Sequence, residues 1–153
     1  MKKSVAILAL VVGASAPAFG QTLEGVWKRV AVVVDSGPDR GRHTSDVQPG
    51  LLIFTRNHYS MTFVQGFKPR PIPGDSATDE ELGLSFLPFT ANAGTYWQGA
   101  GVITFSPSVA KHPAVMSGTK LTYTVRIKGD TIWAKSAGRG GYATSTWVRI
   151  ERR

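Results

Sequence analysis

The run Leu121–Lys128 constrains this chain more than any other stretch. Leu121, Tyr123, Val125 and Ile127 are apolar, and they alternate with Thr122, Thr124, Arg126 and Lys128. A period of two marks a strand with one face in a core and the other in water. Gly129-Asp130 supplies a two-residue hairpin turn, and Thr131 to Ala137 returns. A lone two-stranded ribbon is marginal in water, and its open edges recruit other chains. Such a hairpin therefore needs further strands on both sides.

The rest of the chain supplies them. Gly25 to Val34 reads as a long first strand, ended by the turn formers of Asp35-Ser36-Gly37-Pro38-Asp39-Arg40-Gly41-Arg42. Gly50 to Thr55 and Tyr59 to Gln65 form a hairpin around Arg56-Asn57-His58, with Tyr59, Met61 and Phe63 on one face. Gly94 to Trp97 and Val102 to Ser106 flank Gly99-Ala100-Gly101, and Tyr142 to Glu151 closes the series after Gly138-Arg139-Gly140-Gly141.

Two intervals break this pattern. Between Gly66 and Thr90, Pro69, Pro71, Pro73 and Gly74 open an extended segment. There Thr78-Asp79-Glu80-Glu81 has the form of a capping box, which predicts a short helix from Asp79 to Phe86. Leu82, Phe86 and Phe89 are expected on its inner side, and a connection carrying its own helix reads as a lid or a plug. Pro107 to Gly118 is irregular, with one helical turn around His112-Pro113.

Eight strands in adjacent hairpins predict an all-β fold: an eight-stranded up-and-down antiparallel barrel with one short helix in the connection after strand three. Closure removes the sheet edges. A two-sheet sandwich is the competing arrangement.

At 153 residues the chain fits one domain. Lys2 and Lys3, the apolar run Ser4 to Ala14, and the small residues Ala16-Pro17-Ala18-Phe19-Gly20 read as a signal peptide over residues 1–20. Ala18 and Gly20 would occupy the −3 and −1 positions, with the barrel domain spanning 21–153. This run is too short to span a bilayer of about 30 Å, and no later stretch is a transmembrane segment. The expected location is the periplasm or the cell exterior. Without the leader, sixteen Lys and Arg face ten Asp and Glu, a net charge of +6. That favours anionic partners, an anionic envelope surface among them, and export argues against nucleic acid. The absence of cysteine excludes thiol catalysis, thiolate metal sites and disulfides.

Gly25-Val26-Trp27, Gly50-Leu51-Leu52-Ile53-Phe54-Thr55 followed by Met61, Ala91-Asn92-Ala93-Gly94-Thr95-Tyr96, and Trp147-Val148-Arg149 together resemble the bacterial lipocalin-like domain family, calycin-type β-barrels. In lipocalins an arginine near the last strand packs over the signature tryptophan. The resemblance therefore implies a structural signature of Gly25, Trp27 and Arg149, with a cation–π contact between the last two. It also implies a small hydrophobic or anionic amphipathic ligand. Members often carry a histidine in the strand after the Gly-Thr-Tyr junction; here that strand reads Val102-Ile103-Thr104-Phe105-Ser106, so no such role transfers.

A barrel of this size is either filled by its side chains or left open for one ligand. The expected ligand-binding set is Phe54, Tyr59, Met61, Phe63, Phe86, Tyr96, Phe105, Tyr123, Arg126 and Trp133, with Arg126 at the mouth and the segment from Pro69 to Phe89 as the lid.

Catalytic signals are weak. His43, His58 and His112 lie in separate turns and loops without metal-ligand spacing, so no metal site and no cofactor are expected. Gly74-Asp75-Ser76 lacks the strand-turn-helix elbow that a serine nucleophile needs. Asp79, Glu80 and Glu81 fit a helix N-terminus better than a glycosidase pair, and Gly138-Arg139-Gly140-Gly141 fits a turn better than an anion nest. No catalytic residue is assigned. The reading is a binding protein. The alternatives are an isomerase, cyclase or hydrolase of a hydrophobic metabolite, with His58, Tyr96, Arg126 or Asp130 as loose candidates, and an envelope interaction or inhibitor module without a ligand.

Overall fold

Each main strand pairs antiparallel with its chain neighbours, and the last returns to the first. The computed structural model describes residues 22–152 apart from residues 46, 117, 139 and 140. The leader expected at residues 1–20 and the centre of the turn at 138–141 lie outside the described residues. In order, the elements are β1 (Gly25–Val34), β2 (His43–Thr44), β3 (Gly50–Phe54), β4 (His58–Val64), α1 (Asp79–Phe86), β5 (Phe89–Gly99), β6 (Val102–Ala110), α2 (Pro113–Met116), β7 (Leu121–Lys128), β8 (Thr131–Gly138) and β9 (Gly141–Glu151).

The ladder runs β1-β3-β4-β5-β6-β7-β8-β9 and closes through a β1–β9 register from Val26↔Glu151 to Val34↔Ala143. This is the closed eight-stranded antiparallel barrel, not a sandwich. β2, unanticipated from sequence, adds two residues beside Val32 and Val33, where β1 has run past the end of β3. Closure depends on Gly25. Its φ is +125°, and a Cβ there would overlap the Glu151 carbonyl oxygen across the β1–β9 seam.

The two ends of the barrel differ. At one end, where β1 begins and β9 finishes, the connections are tight: 55–57, 100–101 and 129–130. At the other lie the long connections 35–49, 65–88 and 111–120, including α1 and α2. The alternation in β7 is preserved, with Leu121, Tyr123, Val125 and Ile127 turned inward and Thr122, Thr124, Arg126 and Lys128 outward. Trp27, Leu52, Phe54, Tyr59, Met61, Ile103, Phe105, Ile132 and Trp147 form the buried centre.

Two local expectations change. β5 and β6 are longer than predicted, and Pro107 lies inside β6, where the sequence placed a break. It sits opposite Gly94, next to the one register shift of that ladder, and a ladder irregularity is where a strand tolerates a residue without an N–H. α1 forms over the predicted residues with its capping box: Thr78 Oγ1 accepts from the Glu81 backbone N–H, and the Glu81 carboxylate accepts from the Thr78 N–H. Its orientation is reversed, however. Ser85 is the buried residue, bonded to the Leu82 carbonyl, while Leu82, Leu84 and Phe86 face out. Lys111 fixes this pose by donating to the carbonyls of Phe86 and, at 2.9 Å, Phe89 where the helix ends.

Candidate functional site

Trp27 plugs the short-turn end. Its side chain is fully buried and its indole N–H donates to the Leu23 carbonyl at 2.8 Å. Arg149 is its register partner on β9, and the guanidinium lies 4.2 Å from the indole centroid, the contact implied by the resemblance. The same guanidinium donates to the backbone carbonyls of Glu24 and Thr22 and sits 3.0 Å from the Asp130 carboxylate. The hydrogen bond from Arg152 holds the Asp130 carboxyl below its usual range against the opposing effect of burial, helped by the charges of Arg152 and Arg149 and the Arg149 hydrogen bond. First strand, last strand and the β7–β8 turn are thus clasped by one cation.

Above this plug the interior is occupied by side chains in contact. Phe105 packs against Tyr59 at 4.4 Å, Tyr123 at 5.3 Å and Phe54 at 6.0 Å between ring centroids, and Phe54 meets Tyr96 edge-on at 4.8 Å. Their polar tips are also satisfied. The Tyr59 hydroxyl donates to Asn92 at 2.6 Å and the Tyr96 hydroxyl to the Thr55 carbonyl at 3.0 Å. Burial raises the pKa of all three tyrosines, with a nearby Tyr123 adding to the effect at Tyr59 and Glu24 at Tyr96. These phenols stay protonated at neutral pH, as packing groups and hydrogen-bond donors.

Phe54, Tyr59, Met61, Phe63, Tyr96, Phe105 and Tyr123 do face inward: Phe54, Tyr59, Met61 and Phe105 are buried, and Phe63, Tyr96 and Tyr123 are partly buried against them. The other three members of the expected set are elsewhere. Arg126 and Trp133 stack on each other at 3.9 Å on the outer surface, near the tight end and away from the mouth, because even-numbered positions of β7 point out and carry their β8 partners with them. Phe86, 56% exposed, sits at the end of α1 outside the barrel interior. His43, His58, His112 and Asp130 are all at the surface. Among the described residues no three His, Cys, Asp or Glu side chains cluster as a metal site would require.

A concavity lies at the long-loop end. It is an open groove of about 410 Å³, lined by Gln48 and Pro49 ahead of β3, Val64 at the end of β4, the 70–73 run, and Ser85 and Phe86 of α1. Ile72, 96% exposed, stands on its rim. Beneath it runs a residue that sequence reading passed over. Arg29 points inward from β1, is only 6% exposed, and packs 4.9 Å from the Phe63 ring centroid. Its guanidinium donates to the carbonyls of Gln48 at 2.9 Å and Val64 at 2.5 Å, two of the residues that line the groove. Among the described residues its Nε, like that of Arg149, has no well-aligned hydrogen-bond partner, but Arg29, unlike Arg149, has no carboxylate nearby, and burial lowers its pKa. The one available signal was its position, two residues after Trp27 on the same face of β1.

No protein-family model matches the sequence, and no curated protein matches it. Among solved structures, a redesigned β-barrel is similar at 12% identity, over 84% of this chain and 92% of that chain, with a TM-score of 0.43. No helix among the described residues is long and apolar enough to cross a membrane.

Proposed function

We propose that this chain is an exported, lipocalin-like barrel that binds a small amphipathic anion, and that the ligand enters the groove at the long-loop end, not the barrel axis. The observation that carries this reading is Arg29. A guanidinium stays charged in a protein, and a charge held out of water is costly unless an opposite charge answers it. Arg29 has two carbonyls and a ring face, and its acceptors belong to the groove floor. Arg70 on the groove wall adds a second cation. Ile72, Phe86, Val64 and the neighbouring prolines offer the apolar surface a hydrocarbon tail requires. The volume is within the range of small-molecule sites, roughly 300–1,000 Å³. The Trp27–Arg149 clasp supports the lipocalin-like reading of the fold.

Calorimetric titration with dodecanoate and with dodecanol tests it. Dodecanoate should bind about tenfold more tightly, Arg29→Met should remove that preference, and Ile72→Asp should weaken both. Equal affinity for acid and alcohol in the unaltered protein would overturn the reading. The exposed Ile72, Phe86 and Leu87 also favour a docking module that uses this rim against another protein. Failure of both ligands to bind selects that reading.

A further inference from the structure

Beyond the leader, the net positive charge of this protein lies in one half of the chain. Residues 89–153 carry nine Lys and Arg against two Asp and Glu, whereas residues 22–88 carry seven against eight. The basic half comprises β5 to β9, and its outer face holds a second feature the groove does not use. Trp97 is 60% exposed, yet its indole does not project. It lies along its own strand over Gly99, where an added Cβ would come within 2.5 Å of two ring carbons. The missing side chain at Gly99 is the seat that holds one indole face down and leaves the other open.

Register places this platform among hydroxyls and cations. Trp97 is opposite Thr104, which is opposite Thr122, so the three share the outer face of β5, β6 and β7. Along β7 that face continues through Thr124 to Arg126 and Lys128, and neither cation has an acidic partner among the described residues. Arg126 stacks on Trp133, which leaves the N–H edge of its guanidinium open to a carboxylate or sulfate fork. Trp97 and Arg126 are separated by about two strand spacings of ~4.8 Å and four residues of rise, a span of a few sugar rings.

We propose that the outer face of β5–β7, from Trp97 to Arg126 and Lys128, binds an anionic polysaccharide. The open indole stacks one sugar ring, the threonine hydroxyls meet ring hydroxyls, and the two cations meet carboxylate or sulfate groups. A membrane is less suited to this face, because the indole is laid flat among threonines and the only large exposed apolar neighbour on β6 among the described residues is Val109. Single-stranded nucleic acid needs successive stacking platforms, and here Arg126 already covers the second indole.

Heparin and polygalacturonate titrations followed by tryptophan fluorescence test this across salt concentrations, with uncharged dextran, phosphatidylglycerol vesicles and oligo-dT alongside. At least one anionic polysaccharide should bind and dextran should not. Trp97→Ala should weaken binding about tenfold, and Gly99→Val, which lifts the indole, should do the same. Arg126→Gln with Lys128→Gln should lower the salt slope by about two, by analogy with counterion release from nucleic acids. The charge-matched pair Arg40→Gln with Lys68→Gln, off this face, should change it far less. The proposal is overturned if the two charge pairs act alike, if Trp97→Ala binds as tightly as the unaltered protein while keeping its melting temperature, or if vesicles or oligo-dT bind more tightly through the same residues.

Discussion

Each end of this barrel buries an arginine from a terminal strand, and the two are held very differently. Arg149, its side chain 7% exposed, has an indole face, two backbone carbonyls and a carboxylate. Arg29, equally buried, has a phenyl face, two carbonyls and, among the described residues, no carboxylate. The first arrangement has a counter-charge and joins elements that are remote in sequence. The second leaves a charge only partly answered beneath an open groove. One end is clasped shut, and the other is where the proposed anion would enter.

The comparison can be broken or sharpened by substitution. Trp27→Ala should have the largest effect, about 3–5 kcal/mol of unfolding free energy in urea titrations, because it empties the plug and strips Arg149 of its ring. Arg149→Met should cost about 2–3 kcal/mol, the combined worth of a cation–π contact and charged hydrogen bonds. Arg29→Met should cost at most about 1 kcal/mol, since a buried charge without a counter-charge is replaced by an apolar group of similar length. If Arg29→Met destabilised as much as Arg149→Met, the contrast between the ends would be lost. The smallest effect should come with acid. Because the Asp130 carboxyl is held below its usual value, its contribution is present above the unfolded-state pKa of about 3.9 and is lost as pH falls through the lower folded-state value. Asp130→Asn should flatten melting temperature against pH in that window and leave it unchanged in form near neutrality.

Much of the barrel was legible because its signals are local. Period-two alternation in β7, the Gly129-Asp130 turn and the Thr78–Glu81 capping box each specify a backbone form within a few residues, and each is found where expected. Pro107 misled because its tolerance inside β6 depends on Gly94 across the ladder, a partner a local reading does not see. α1 misled similarly. Leu82 and Phe86 fit an apolar inner stripe, but Lys111, twenty-five residues beyond Phe86, helps fix the pose that turns Ser85 inward.

The candidate site was less legible. Phe54, Tyr59, Phe105 and Tyr123 were correctly placed inside, but whether aromatic rings line a space or fill it depends on their mutual packing, which no periodicity encodes. Arg29 went unremarked because a cation beside hydrophobic residues reads as a solvated position until the strand is curved and its neighbours are known.

By itself the sequence determined the strand content and the hairpin order, because alternation and turn chemistry act over short spans; the Trp27–Arg149 pairing was implied by the family resemblance. The tertiary structure alone decided which rings meet inside the barrel, that Arg126 and Trp133 lie outside, and that a guanidinium without a carboxylate partner among the described residues sits under the groove. These depend on how closure of eight strands distributes volume and charge among residues far apart in the chain.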